Sequence, residues 1–87
     1  MMPFKIEYLA SVVADDIPRV AKGDRRRIRQ AIEDKLGRDP VAFGKPLQYS
    51  LKGCRRLRVG DYRIVFFIES NHTVVIVKIG HRKDVYE

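Results

Sequence analysis

The chain has 87 residues, with 18 Lys or Arg against 11 Asp or Glu, a formal surplus of +7. That length allows one domain, residues 1–87, with one modest core, and 45% hydrophobic with 33% charged residues excludes a disordered chain. The longest apolar runs, Ile64–Ile68 and Val74–Val77, fall far short of the roughly 20 residues that span a bilayer, and a single cysteine, Cys54, excludes an internal disulfide framework. The opening residues lack the apolar stretch of a signal peptide, so a cytoplasmic protein with no membrane association is expected. The charge favours an anionic partner, either nucleic acid or an acidic protein.

Phe4-Lys5-Ile6-Glu7-Tyr8 alternates apolar and polar residues, which predicts a half-buried strand. Ser11–Asp16 opens a short helix with Ser11 as its candidate N-cap, and Pro18, lacking an amide donor, ends or restarts it. Gly23-Asp24 reads as a break, with Asp24 capping the next helix. Residues 25–36 are the strongest helix: Ile28, Ala31, Ile32 and Leu36 share one face, and Gly37 and Pro40 close it. Residues 38–50 read as a connection containing Gly44 and Pro46. Arg56–Val59 alternates, Gly60-Asp61 is a Gly-first hairpin turn, and Tyr62–Ile68 and Thr73–Ile79 are rich in β-branched and aromatic residues. Glu69–His72 joins these last two. The order is β-α-α-β-β-β, an α+β fold with two helices packed on one face of an antiparallel-rich sheet.

A two-residue turn at Gly60-Asp61 sets Arg58 opposite Arg63 and Arg56 opposite Val65. A turn in which Glu69 faces His72 sets Arg63 opposite Lys78. Directly opposed side chains project to the same side of a sheet. Arg56, Arg58, Arg63 and Lys78 are therefore expected on one face. Leu57, Val59, Tyr62, Ile64, Phe66, Ile68, Val75, Val77 and Ile79 are expected on the helix-covered face. Opposed like charges cost a few tenths to about 1 kcal/mol per pair, which is poor for stability and suited to an anion. The plain alternative is a solvated face with splayed side chains. Val65, Phe67, Val74 and Ile76 complete the basic face, either as a second core layer or as a groove for a partner segment.

After Gly80 come His81, Arg82, Lys83, Asp84, Val85 and Tyr86. His81 can exchange a proton near neutral pH, Tyr86 carries a phenol and Arg82 a permanent cation. Beside a phosphate clamp these groups permit phosphodiester cleavage; the plain reading is a polar tail. No spacing of His, Cys or clustered carboxylates suits a metal, and there is no Gly-rich phosphate loop. Neither metal nor cofactor is expected. Cys54 lacks the partners of a catalytic thiol, and His72 receives no role.

Taken together, Lys45-Pro46-Leu47, Leu51-Lys52-Gly53, Arg56-Leu57-Arg58-Val59-Gly60-Asp61-Tyr62-Arg63-Ile64-Val65-Phe66 and Val77-Lys78-Ile79-Gly80-His81-Arg82-Lys83-Asp84-Val85-Tyr86 resemble the RelE/ParE toxin superfamily, on its RelE side. The resemblance covers nearly the whole chain. It implies a compact sheet-and-helix fold, a ribosome-dependent messenger-RNA endonuclease, and a cognate antitoxin encoded beside it. It places the family's strand cations at Arg56 and Arg63, its C-terminal arginine at Arg82 and its tyrosine at Tyr86. Lys52, Arg55, Arg58, Lys78 and Lys83 are assigned to hold RNA phosphate, with ribosomal 16S RNA as a further contact. Two departures bear on chemistry. A second catalytic lysine of the best-known relatives falls at Cys54, and the mid-strand lysine is Arg56, which holds phosphate but cannot act as a base. His81 is the local substitute.

The implied reaction is metal-free: a ribose 2′-hydroxyl attacks the adjacent phosphate, giving a cyclic phosphate and a 5′-hydroxyl, which demands RNA. Arg56, Arg63 and Arg58 would stabilise the phosphorane, and His81 or Tyr86 would move protons. The alternative is a non-enzymatic toxin of the ParE kind that binds DNA gyrase. Substituting Arg63 is expected to leave the fold no less stable, since it removes a repulsion.

Overall fold

Two short helices and three adjacent antiparallel strands account for most of the chain, and a computed structural model describes residues 3–48, 51–69 and 72–85. The strands are β1 (Lys5–Tyr8), β2 (Lys45–Pro46), β3 (Arg55–Val59), β4 (Tyr62–Glu69) and β5 (Thr73–His81). They form one sheet in the order β1-β5-β4-β3-β2. β2, β3, β4 and β5 pair antiparallel, whereas β1 runs parallel to β5, so the sheet is mixed. Helix α1 is a π-helical turn (Val12–Asp16) continued by Ile17–Arg19. Helix α2 runs Lys22–Ala31 and ends in a π-helical turn, Ile32–Leu36. A short α3 spans Pro40–Phe43. The α+β class and the helices on one face are as expected.

The core lies between the helices and one face of the sheet. Val12, Val20, Ile28, Ile32 and Leu36 from the helical half meet Leu57, Val59, Ile64, Phe66, Val74, Ile76 and Ile79 from the strands. Ile28, Ile32 and Leu36 repeat every four residues, a spacing that drifts forward around a 3.6-residue helix. The final π turn winds less per residue and returns Leu36 to the buried face. Asp16, at the end of the π turn of α1, is buried. Its Oδ2 accepts from the Ile79 amide at 3.0 Å and its Oδ1 lies 3.4 Å from Lys78 Nζ, which pins α1 to β5.

Several expectations shift. Gly23 and Asp24 lie inside the first turn of α2 rather than breaking the chain, because the extended backbone of Ala21 starts the helix. Asp24 sits there as a first-turn acid paired with Arg27 at 3.4 Å, favoured by the helix dipole. Ser11 makes no side-chain cap. Pro40 begins α3 instead of only closing α2; Asp39 accepts from the Ala42 amide and Pro occupies the first turn, a helix start legible in the sequence. Within the expected connection, Lys45–Pro46 pairs with Arg55–Arg56 as an edge strand, a place where a sheet tolerates proline.

The largest correction concerns β5. The β3–β4 register is as expected, with Arg58 opposite Arg63 and Arg56 opposite Val65. Gly60 has φ 58, which the Gly-first turn requires. In the next hairpin Glu69 pairs with Thr73 rather than His72, and His72 takes a left-handed φ of 60. A register shift at Val65/Phe66 then leaves Val77 as an extra residue. Arg63 consequently faces Gly80, and Lys78 faces Val65. Val74 and Ile76 enter the helix-side core, while Val77 packs with Val65 on the opposite face.

Candidate nucleic-acid interface

Alternation along β3 puts Arg56 and Arg58 on the face away from the helices, and Leu57 and Val59 on the core face. β4 repeats this with Arg63 and Val65 outward and Ile64 and Phe66 inward. Because Val59 and Tyr62 flank a two-residue turn, Arg58–Arg63 is a non-hydrogen-bonded pair, the kind in which side chains approach most closely. Three arginines thus share the open face near the hairpin.

They differ in setting. Arg58 is exposed, whereas Arg56 is 7% and Arg63 9% exposed. Burial, and then the like charges of Arg58 and Arg63, push the Arg56 guanidinium below its ordinary pKa. Arginine keeps its proton regardless, so the fold carries a cation whose surroundings disfavour its charge. Arg63 bends back over the turn, its Nη1 donating to Gly60 O at 3.3 Å and Tyr62 O at 3.2 Å. That gives Arg63 a part in the hairpin itself, which the sequence did not disclose.

The rest of the open face is partly roofed. Leu47, Val65 and Val85 form a second small core, with Leu51, Cys54 and Val77 packed against it. Of the two possibilities for this apolar surface, the second core layer holds at these residues. Gly80 lets the C-terminal segment seat there: a Cβ on it would come within 2.7 Å of Val85 Cγ2. Cys54 is a half-buried packing residue whose amide donates to Leu51 O at 2.9 Å.

The other expected site residues divide. Arg82 joins the hairpin end: its amide donates to Asp61 O at 2.7 Å and its Nε lies 3.8 Å from Asp61 Oδ1. Lys52 and Lys83 are exposed, in the β2–β3 connection and the C-terminal turn. Arg55 shares the parity of Leu57 and donates from Nη1 to Gly44 O at 2.8 Å, on the helix side of the sheet. Arg55 therefore lies off the arginine face, whereas Lys78, opposite Val65, keeps the open-face parity of Arg56 and Arg63 as expected, with its Nζ engaged by Asp16 rather than set opposite Arg63. Tyr86 lies outside the described residues.

His81 faces Tyr62 across the β4–β5 pair, on the core-face parity of Ile64 and Ile79. Its ring meets Tyr62 edge-on, with centroids 5.8 Å apart. The Lys83 amide donates to His81 Nδ1 at 3.2 Å. Nδ1 therefore carries the lone pair and Nε2 the proton. Sequence reasoning missed Asp16 and the pinning of Lys78; no periodicity signals a carboxylate that caps a strand 63 residues away. Among the described residues no three His, Cys, Asp or Glu side chains converge as a metal site, and no helix is long and apolar enough to cross a membrane.

Comparison with known proteins adds the family. The Mycobacterium tuberculosis protein named Toxin RelE is 31% identical over 85 residues, spanning 97% of this chain and 87% of that protein. Toxin RelG of the same organism is 44% identical over 52 residues, 59% of this chain and 60% of RelG, so that match spans less than two thirds of the relative. Among solved structures, the toxin–antitoxin complex RelBE2 from Mycobacterium tuberculosis matches with a TM-score of 0.84 at 29% identity over 97% of both chains. The isolated E. coli RelE toxin matches at 0.71 with 11% identity, over 90% of this chain and 83% of that one, a likeness of fold alone. The family model described as "ParE toxin of type II toxin-antitoxin system, parDE" matches residues 6–86. With that match across nearly the whole chain and RelE-type toxins as its relatives, the chain belongs to the RelE/ParE family of toxins of type II toxin–antitoxin systems.

Proposed function

We propose that the chain is a ribosome-dependent endoribonuclease that cleaves messenger RNA without a catalytic metal and is held inactive by a cognate antitoxin. The observation that carries the reading is the open-face arginine group. Arg56 and Arg63 are nearly buried and Arg58 stands opposite Arg63, with Arg56 held below its ordinary pKa by burial and by its two neighbours. A phosphate in that position offsets the cost of burial and repulsion together. As negative charge grows on the phosphorane, the same arginines gain most, which is the condition for rate enhancement.

The nucleophile is the substrate's own 2′-hydroxyl, so no Ser, Cys or metal is called on. Arg56, Arg58 and Arg63 hold and stabilise the phosphate, Arg82 flanks it at the hairpin, and Lys52 and Lys83 contribute exposed charge. Tyr86 is placed by resemblance alone. Work on the ribosome puts the protein in the cytoplasm. The antitoxin assignment is supported by the relative solved as a toxin–antitoxin complex.

The test is incubation of the purified protein with messenger RNA on assembled ribosomes, followed by mapping of the cut ends. The expected ends are cyclic phosphate and 5′-hydroxyl; 5′-phosphate ends would sink the 2′-hydroxyl mechanism. The matching family model bears the ParE description, which favours a second reading: a non-enzymatic toxin that binds DNA gyrase. Inhibited supercoiling with intact messenger RNA would decide for it.

A further inference from the structure

The open-face arginines do not end at the sheet. Arg63 crosses to the carbonyl of Gly60, and on the other side of that turn lies Arg27 of α2, whose guanidinium occupies the space a Gly60 side chain would need. Gly60 is thus glycine twice over, for its φ of 58 and for this close approach. The start of α2 sits beside the same hairpin, since the Ala21 amide donates to Tyr62 Oη at 3.3 Å. Beyond Arg27, a shallow depression of about 470 Å³ opens along α2, lined by Gly23, Arg26, Arg27, Gln30, Asp34 and Lys35. Lys22 stands one turn before Arg26. Cations in the first turns of a helix oppose its dipole, so this placement costs stability, as the opposed arginines of the sheet do. Asp24, Asp34 and Asp61 are the carboxylates along the way: Asp24 and Asp61 pair with Arg27 and Arg82, and Asp34, at the far end of the depression, accepts from Gln30 Nε2 at 3.3 Å.

We propose that these groups form one continuous phosphate track, in which an RNA single strand held at Arg56, Arg58 and Arg63 passes over the Gly60-Asp61 turn and continues along the first half of α2. The proposal rests on the RNA reading above and extends it to the flanking nucleotides. The occupant is a single strand because the path turns from one face of the sheet to the other across a molecule measuring 33 × 29 × 23 Å. A flexible strand follows that bend, whereas a double helix, with a persistence length of about 50 nm for DNA, does not.

The test measures binding of a 3-nucleotide and a 12-nucleotide RNA by fluorescence anisotropy across a salt series. In single strands each phosphate contact contributes roughly 0.7 to the slope of log affinity against log salt. Lys22→Ala/Arg26→Ala is expected to lower the slope for the longer RNA by about 1.4 and to leave the shorter unchanged. Lys5→Ala/Arg38→Ala, which removes equal charge from the far edge, is expected to change neither. Equal losses in the two double variants, or an unchanged slope in Lys22→Ala/Arg26→Ala, overturn the track while leaving the cleavage reading intact. Tighter binding to an RNA duplex than to the strand also overturns it. Failure of the wild-type protein to bind any RNA overturns both. Circular dichroism melts of each variant establish that the fold is retained.

Discussion

Arg58→Thr is the sharpest test of the idea that the open face is strained by its own charge. Arg58 stands directly opposite Arg63 and two residues along the strand from Arg56. It is exposed, so its removal opens no cavity, and threonine retains a strand-forming, β-branched side chain. Two unit charges roughly 7 Å apart in a water-like dielectric repel by about 0.6 kcal/mol. Arg58 makes two such approaches, so replacing it should raise stability by about 1 kcal/mol at low salt. For a domain of this size that is roughly 4–8 °C in Tm. The gain is Coulombic, and the Debye length falls from about 30 Å at 0.01 M salt to about 3 Å at 1 M. The expected result in urea titrations is therefore a clear rise in midpoint at 0.01 M salt that all but vanishes at 1 M, with cleavage reduced by about 10²-fold or more. A loss of stability at low salt, or a gain that salt does not erase, would refute the argument that repulsion is held in place for function.

Arg63→Ala should cost cleavage about 10²–10³-fold but also lower stability by about 1 kcal/mol, because its two bonds to the turn carbonyls are lost along with the repulsion; urea midpoints check this, and a more stable variant would mean those bonds contribute nothing. Burial, and then Glu33, raise the Tyr8 pKa, with Arg29 opposing. The folded state thus keeps its phenol protonated at pH values where the unfolded chain, near its ordinary value of about 10, has released the proton. Stability contributed by Tyr8 is complete below pH 10 and declines as pH rises beyond it, and Tyr8→Phe should flatten that decline in thermal melts between about pH 9 and 11. His81→Asn retains an acceptor near Nδ1 for the Lys83 amide, whereas His81→Gln places its amide nearer Nε2; equal tenfold-or-greater losses in single-turnover cleavage would assign His81 to proton transfer, and survival of the Asn variant alone would assign it to holding the C-terminal turn.

The sequence made the β3–β4 hairpin readable because everything there is local. A Gly-first turn, strict alternation and a two-residue loop leave one register, and Arg56, Arg58 and Arg63 fall out on one face. The β4–β5 hairpin was not readable in the same way. Its register depends on a three-residue connection ending in His72 at positive φ and on a bulge at Val77. A non-glycine residue in the left-handed region and a bulge inside an unbroken apolar run leave no mark in composition. One slipped residue moved Lys78 away from Arg63 and exchanged Val74 and Ile76 with Val75 and Val77 between faces. Asp16 was illegible for a different reason: a buried carboxylate is identified by its partners, and these come from the far end of the chain. Asp39-Pro40, by contrast, was a helix start in plain sight, outweighed by the neighbouring Gly44 and Pro46.

The same geometry bears on where the proton goes. Arg56 cannot accept one. Cys54 packs in the second small core. The lone pair of His81 is engaged by the Lys83 amide, and its ring lies against Tyr62 on the core-face parity. Among the described residues, the open face offers a phosphate fixed positive charge. Charge stabilisation of that kind is worth about 10²–10³ per donor, but it does not align a 2′-hydroxyl with its phosphate. Alignment is a separate and larger contribution, up to about 7–11 kcal/mol where reacting groups are well oriented. On the proposed reading, the ribosome supplies it by holding the message bent into the in-line geometry, and the toxin supplies the arginines. Free RNA should accordingly bind this face readily and be cut on it slowly, while the same RNA on the ribosome is cut fast. Comparable single-turnover rates on free and ribosome-bound message would place both contributions within the toxin, and a base not among these residues would have to be found.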